Sequence, residues 1–141
     1  MTEFRYSVCE PLNPEVIEKG VVSTERIIGL FNDFQWDYYL KQMNAAEARG
    51  EKIYFSPSLE VENKANKNGL SISAVGDPGN YEFYIFYKRP RTVMKKKLFR
   101  KPETVVKDYI SEITGQTKEE AVEYLNALLA DNLELLESRI K

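Results

Sequence analysis

The sequence predicts an α+β fold, in which an antiparallel β-meander of about four to five strands packs against an N-terminal helical segment and C-terminal amphipathic helices. Three observations support this prediction. Residues 70–75 alternate apolar side chains with mostly small polar ones, which is the period of two of a β-strand. Residues 76–80, Gly-Asp-Pro-Gly-Asn, can reverse the chain, because proline presets one torsion and glycine adopts positive φ. Residues 118–140 carry leucines at helical spacing.

The N-terminal part of the chain predicts one strand and two helices. Residues 4–9 have the composition of a short edge strand. Residues 13–20 predict a short helix, because an Asn-Pro pair suits its start and a glycine suits the position after its end. Residues 23–48 predict one long helix that begins at a Ser or Thr cap and ends before a glycine.

The long predicted helix is apolar around most of its circumference. Its core-facing stripe comprises Ile27, Leu30, Phe31, Phe34, Tyr38 and Ala45. A second apolar side lies off this stripe and comprises Trp36, Tyr39, Leu40 and Met43. We expect either that the C-terminal helices cover this second side or that it meets a partner protein.

The middle of the sequence predicts the strands of the meander. Residues 52–56 and 59–62 are strand-like, and the second of these segments alternates carboxylates with apolar residues. The segment 81–87 is almost entirely aromatic, so we expect a central strand that is covered on both faces. Its two predicted faces are Tyr81, Phe83, Ile85 and Tyr87 on one side, and Glu82, Tyr84, Phe86 and Lys88 on the other.

The C-terminal part of the chain predicts helices. Residues 102–113 begin with a proline and predict a helix, with a strand at 105–113 as the alternative. Residues 117–120, Thr-Lys-Glu-Glu, have the pattern of a capping box, in which the Thr and the second Glu satisfy each other's backbone amides. The helix that starts there extends to the end of the sequence, unless Asp131 and Asn132 divide it in two.

Length and composition restrict the class of function. The 141 residues fit a single globular domain, 1–141, that can bury about two-thirds of its unfolded surface. The chain has no histidine and one cysteine, Cys9, which excludes histidine catalysis, histidine metal sites and an internal disulfide. We therefore expect a buried, unreactive Cys9 and a cytoplasmic location. We expect no cofactor, no resident metal and no membrane association.

The strongest electrostatic signal is a basic loop at residues 88–101. It contains eight cations and no acid: Lys88, Arg89, Arg91, Lys95, Lys96, Lys97, Arg100 and Lys101. Because the whole chain has a net charge of −2, the rest of the chain carries −10. Grouped cations favour binding to nucleic acid or another anion, but a solvated loop, or one paired with the chain's own acids, is the commoner explanation.

Carboxylates and aromatic residues predict a partner-binding surface. The candidates are Asp33, Trp36, Asp37, Tyr39, Glu60 and Glu62. Negative charge speeds the encounter with a basic protein, and a few desolvated aromatic rings stabilise the complex. An ordinary core position for Trp36 is the alternative. Asp33 and Asp37, at i and i+4, or Glu60 and Glu62, at i and i+2, could instead bind a hard cation or shift a carboxyl pKa, which would suit an enzyme.

The order of three segments, 70–77, 81–91 and 113–117, followed by Glu-Glu-Ala-Val and a leucine-rich end, resembles small cytosolic immunity proteins of bacterial polymorphic and contact-dependent toxin systems. This resemblance implies a non-enzymatic protein that binds a cognate toxin domain, often a nuclease, and carries over no functional residue. The sequence therefore leaves three hypotheses in order: an immunity protein, a nucleic-acid or anion binder that uses residues 88–101, and a carboxylate-dependent enzyme.

Overall fold

A computed structural model describes the backbone of residues 2–94 and 103–141 and the side chains of residues 2–91 and 109–141. Within these residues the fold is α+β, as predicted, with one antiparallel sheet and four helices. The sheet has six strands, whereas the sequence predicted four to five. In chain order the elements are β1 (Phe4–Cys9), β2 (Ile17–Val22), α1 (Thr24–Asp33), α2 (Trp36–Ala48), β3 (Ser58–Asn63), β4 (Gly69–Asp77), β5 (Asn80–Met94), β6 (Glu103–Gln116), α3 (Lys118–Leu129) and α4 (Leu133–Arg139).

The strand order in the sheet is β2-β1-β3-β4-β5-β6. From β3 to β6 each strand pairs with the next one in sequence, which is the predicted meander. β1 lies between β2 and β3 and is therefore not the edge strand that the sequence predicted. Residues 52–56, predicted as a strand, form none, and β3 begins only at Ser58.

Two segments that were predicted as helices are strands. Residues 17–22, which include the second half of the first predicted helix, form β2 and pair with β1. Gly20, which we expected to follow a helix, has a φ of +91° beside a register shift in this pair, where a β-bulge adds an unpaired residue. Residues 103–116 form β6, which confirms the strand alternative given for 105–113 and extends it at both ends. In both segments pairing with a neighbouring strand overrides the local helix signals.

The long helix predicted for residues 23–48 is interrupted. Phe34 has an extended backbone (φ −63°, ψ 137°), and α2 starts again at Trp36. This break changes which side of α2 faces the sheet. Trp36 and Leu40 are buried, whereas Tyr38, which the unbroken helix placed in the core, is 56% exposed.

The hydrophobic core lies between the four helices and one face of the sheet, which we call the helix-covered face. α2 and α3 lie against β4, and α3 also contacts β5 and α1. Each fully buried large apolar side chain stabilises the fold by about 1.5–3 kcal/mol. The buried residues that β1, β3, β4 and β5 contribute are Phe4, Val8, Leu59, Val61, Leu70, Ile72, Ala74, Phe83, Ile85 and Tyr87.

The C-terminal helices begin where the sequence predicted. The Thr117 side chain accepts a hydrogen bond from the Glu120 amide (3.1 Å), and the Glu120 carboxylate accepts one from the Thr117 amide (2.8 Å), which confirms the capping box. Asp131 and Asn132 separate α3 from α4, and the Asn132 side chain caps α4. Among the residues that the structure describes, no helix is long and apolar enough to cross a membrane.

Candidate binding face

The opposite side of the sheet is called here the open face. Because side chains alternate along a strand, every strand that contributes to the core also contributes to this face. The sequence predicted that β5 is covered on both faces, but helices cover only one, and β5 lies next to an edge. The residues of the open face include Arg5, Ser7, Cys9, Glu18, Ser58, Glu60, Glu62, Gly69, Ser71, Ser73, Tyr84, Phe86, Lys88 and Ile110.

A groove of about 630 Å³ lies on the open face. Small residues occupy its middle, namely Ser7 on β1 and Gly69 and Ser71 on β4, on either side of β3. Larger apolar side chains stand around them, namely Val16, Phe55, Phe86 and Ile110. No residue of a described helix lines the groove, so the strands and the segments beside them form it.

The two central carboxylates of the groove have different neighbours. Glu62 lies opposite Arg5 on β1 and Gly69 on β4, with Lys88 next in the same row. Glu60 lies opposite Ser7 and Ser71, so both of its cross-strand neighbours carry hydroxyl groups. Directly opposed side chains interact across a sheet, so the Glu62 row, with two cations and one acid, is net positive, whereas the Glu60 row is acidic.

Neither Glu60 nor Glu62 forms an ion pair within 4.0 Å among the described side chains. The Ser7 hydroxyl is also without a hydrogen-bond partner there, although Ser7 is only 8% exposed and lines the groove. Glu18, on β2, lies opposite Ser7 and so joins the same row as Glu60. The acidic end of the groove, which comprises Glu18, Ser7, Glu60 and Ser71, thus offers hydrogen-bond acceptors and negative charge.

Cys9 lies on the open face but is buried, as expected. Burial, with a smaller effect of the Glu60 charge, raises the pKa of the Cys9 thiol to about 11. Since the thiolate is the reactive form, Cys9 is protonated and unreactive at neutral pH.

The structure distributes the six predicted partner-binding residues over three places. Trp36 is in the core, at 2% exposure. Its indole N–H donates to the Phe31 carbonyl (3.1 Å), and its ring packs 4.3 Å from Phe34 and 5.0 Å from Phe83, measured between centroids. Trp36 and Leu40 are thus covered within the chain, by the sheet and the other helices, and present no surface to a partner.

Asp33, Asp37 and Tyr39 lie on the helical side of the molecule, away from Glu60 and Glu62. The predicted i, i+4 pair of Asp33 and Asp37 does not share a helix, because α1 ends at Asp33 and α2 begins at Trp36. Asp37 accepts a hydrogen bond from the Gly79 amide (2.6 Å) and so holds the β4–β5 turn.

A second, smaller cavity of about 250 Å³ is lined by Asp33, Tyr39 and Glu10 among others. The Tyr39 hydroxyl donates to the Glu10 carboxylate (3.0 Å), and burial together with this carboxylate raises the pKa of Tyr39. The Tyr39 hydroxyl therefore has an internal partner.

The basic loop is only partly described. Lys95, Lys96, Lys97, Arg100 and Lys101 lie outside the described residues. The β4–β5 pairing ends at Gly69 and Lys88, so residues 89–94 pair with β6 alone and form a two-stranded arm. Lys88 lies in the Glu62 row of the groove.

Arg89 extends the helix-covered face beyond Tyr87 and is 4% exposed. Its guanidinium donates to both carboxylate oxygens of Glu137 (2.9 Å each), to the Tyr87 carbonyl (3.1 Å) and to the Ser111 hydroxyl (2.9 Å). It also stacks on the Tyr87 and Tyr109 rings, at 4.2 and 4.7 Å. Arg89, predicted as a cation for an external anion, thus binds an acid of α4.

The groove contains residues that the sequence analysis did not select, namely Arg5, Ser7, Phe55 and Ser71. The alternation in 70–75 showed that Ser71 points away from the core. The alternation does not show how neighbouring strands align. Only the register of β1 and β4 against β3 places Ser7 and Ser71 on either side of Glu60.

Comparisons of the chain with protein-family models, with curated proteins and with solved structures gave no match. The chain's own residues are therefore the basis for assigning a function.

Proposed function

We propose that this chain is a non-enzymatic binding protein of the bacterial immunity type, which acts in the cytoplasm by binding and neutralising a cognate toxin domain. The observation that carries the proposal is the open face, where a groove is lined by strand residues and by no described helix. A six-stranded sheet that packs helices on one face and leaves acids and aromatic rings on the other has a surface suited to another macromolecule.

The chemistry of the groove supports binding over catalysis. The chain has no histidine, and its single thiol is held protonated by burial. The groove combines carboxylates with Phe55, Phe86 and Ile110, and interfaces use such apolar residues for affinity and charged ones for orientation and association rate.

The test begins with the reading frame directly upstream of the gene for this chain. We expect it to encode a toxin that arrests growth when expressed alone and does so no longer when this chain is co-expressed. An upstream product that is harmless, or a toxin whose effect this chain leaves unchanged, would refute the proposal.

Two variants then assign the binding face. Ser71→Arg adds a cation and a long side chain to the middle of the groove and should abolish protection at an unchanged protein level. Ala48→Arg adds the same charge at an exposed position of α2 and should protect as the wild type does. Equal protection by both variants would show that another surface binds the toxin.

The arm favours a second candidate function, binding of nucleic acid or another anion. Residues 89–94 extend beyond the end of β4, and the sequence that follows them contains Lys95, Lys96, Lys97, Arg100 and Lys101. Against this, Arg89 is buried against Glu137, and Arg91 lies 3.7 Å from the same carboxylate. Salt-sensitive retention on a phosphate column should disappear when Lys95, Lys96 and Lys97 become Gln, and unchanged retention would eliminate this candidate.

A further inference from the structure

We infer that the acidic end of the groove receives a lysine or arginine side chain from an extended segment of the protein partner. The inference deepens the proposed function and rests on it for the identity of the partner. Its basis is the juxtaposition of Glu18, Ser7, Glu60 and Ser71 in one row of the open face.

The two neighbouring rows of the groove differ in charge. In the neighbouring row, Glu62 has Arg5 directly opposite and Lys88 two strands away, so the chain itself supplies the compensating cations. Glu60 and Glu18 have no such neighbour, because Ser7 lies between them and Ser71 lies on the other side of Glu60. A cation placed over Ser7 would therefore meet two carboxylates that have no cation directly opposite them.

The acidic end of the groove also offers hydrogen-bond acceptors. The Ser7 side chain is nine-tenths buried, lines the groove and bonds to no described residue. No buried side-chain oxygen or nitrogen among the described residues lacks a partner, so the Ser7 hydroxyl is accessible from the groove and can accept a hydrogen bond from an incoming N–H group. The hydroxyl and the two carboxylates can all accept hydrogen bonds, and lysine and arginine are the positively charged side chains that donate and never accept.

Apolar side chains line the space around the acidic end of the groove. Phe86 follows Ser71 in the same row, three strands from Ser7, so its ring can contact a residue that flanks the cation in the partner segment. The groove continues past Val16 and Phe55, so the residues that flank the cation find apolar contacts. These features match a peptide segment better than an isolated inorganic cation, since no group of three or more metal-ligating side chains occurs among the described residues.

The probe is a blocked, otherwise neutral Gly/Ser/Val peptide with one central arginine, titrated into the full ¹⁵N-labelled chain. The matched control peptide has citrulline in place of arginine, which keeps the shape and removes the charge. We expect amide shifts at Ser7, Glu60 and Ser71 with the arginine peptide, and at least about tenfold weaker binding of the citrulline peptide.

The matched variants are Glu60→Gln and Glu47→Gln, which remove one negative charge each, the first in the groove and the second on the exposed side of α2. Glu60→Gln should weaken binding of the arginine peptide about tenfold, and Glu47→Gln should leave it unchanged. Equal effects of the two variants would reveal only long-range attraction and would overturn the inference, as would shifts confined to other surfaces. Glu60→Lys, which should reverse the preference toward a glutamate peptide, provides a second charge test.

The growth assay separates this inference from the proposed function. If Glu60→Gln and the wild type protect equally and the peptide does not bind, the inference fails while the immunity function stands. If the arginine peptide binds at Glu60 but the wild type gives no protection, the site stands and the immunity function fails.

Discussion

The two faces of the sheet consist of alternate residues of the same strands, yet they differ in what restricts their composition. On β5, Ile85 is completely buried against the helices, and the next residue, Phe86, is half-buried beside the groove. The same contrast recurs at the end of the sheet, where Arg89 is buried and ion-paired while Lys88 lines the groove. On the helix-covered face, side chains must fill the available volume and buried polar groups must have partners. On the open face, the charge and the accessibility of the side chains matter instead.

Aromatic content does not identify the proposed binding surface of this protein. The largest aromatic cluster, Phe31, Phe34, Trp36 and Phe83, is on the helix-covered face and stabilises the core. The open face has fewer rings and more small residues, and its carboxylates are accessible. Four predictions test this difference.

The largest effect is expected from Phe83→Ala on the helix-covered face. Phe83 packs against the rings of Phe31 and Trp36, so its truncation leaves a cavity and should lower the free energy of unfolding by about 3–5 kcal/mol. The matched variant Phe86→Ala, on the open face, should cost about 1 kcal/mol, because its ring is only half-buried. Urea unfolding measures both, and similar losses would contradict the assignment of the two faces.

The next effect concerns the neighbouring cations Lys88 and Arg89. Arg89→Met removes hydrogen bonds to Glu137, Tyr87 and Ser111 and should lower the free energy of unfolding by about 2–3 kcal/mol. Lys88→Met should change it by about 0.5 kcal/mol or less. A double-mutant cycle with Glu137→Gln measures the coupling of the pair, and we expect a moderate value because Glu137 is 42% exposed. Equal costs for the two methionine variants would show that Arg89 is not a buried structural cation.

A pH effect is expected from Cys9. The folded thiol has a pKa of about 11, whereas its ordinary value is 9.0, so between these values the unfolded chain has released a proton that the folded chain retains. The contribution of the Cys9 thiol to the free energy of unfolding is therefore fully present below about pH 9. It decreases by roughly 1–2 kcal/mol as the pH rises toward 11. The Cys9→Ala variant should lose less stability between pH 8 and pH 10.5 in urea titrations, and an identical loss would contradict the shifted pKa.

The smallest effect on stability is expected from Glu60→Gln. Because Glu60 forms no described ion pair, the variant should unfold within about 0.5 kcal/mol of the wild type. Its effect should appear in partner binding instead, as described above. A large stability loss in thermal or urea unfolding would place Glu60 among the structural residues.

Much of the second half of the fold was predictable from local pattern. The hairpin of β4 and β5 follows from alternation on both sides of a glycine- and proline-containing turn, and α3 begins at a capping box. These signals are contained within a few residues, so neighbouring elements do not alter them. The same alternation correctly separated Phe83 and Ile85 from Phe86 on opposite faces of β5, but it did not show that helices cover only one of these faces.

The first half was less predictable, because its signals conflict with pairing over longer distances. An Asn-Pro start and a glycine end predicted a helix at residues 13–20, but pairing with β1 makes residues 17–22 a strand. The break between α1 and α2 has no glycine or proline to mark it, and it moved Trp36 from a surface candidate into the core. Residues 103–116 were ambiguous for the same reason, since their apolar residues suit either a helix or an edge strand.

The sequence by itself determined the α+β class, the β4–β5 hairpin, the C-terminal helices and the separation of charge between residues 88–101 and the rest of the chain, because these depend on composition and on spacings of a few residues. Only the tertiary structure decided which acids lie together and which have partners. Strand register placed Glu60 between two serines and Glu62 beside Arg5. Packing of α4 against β5 brought Glu137 into an ion pair with Arg89. The physical reason is that charge compensation acts between residues far apart in the chain, and no local pattern encodes those distances.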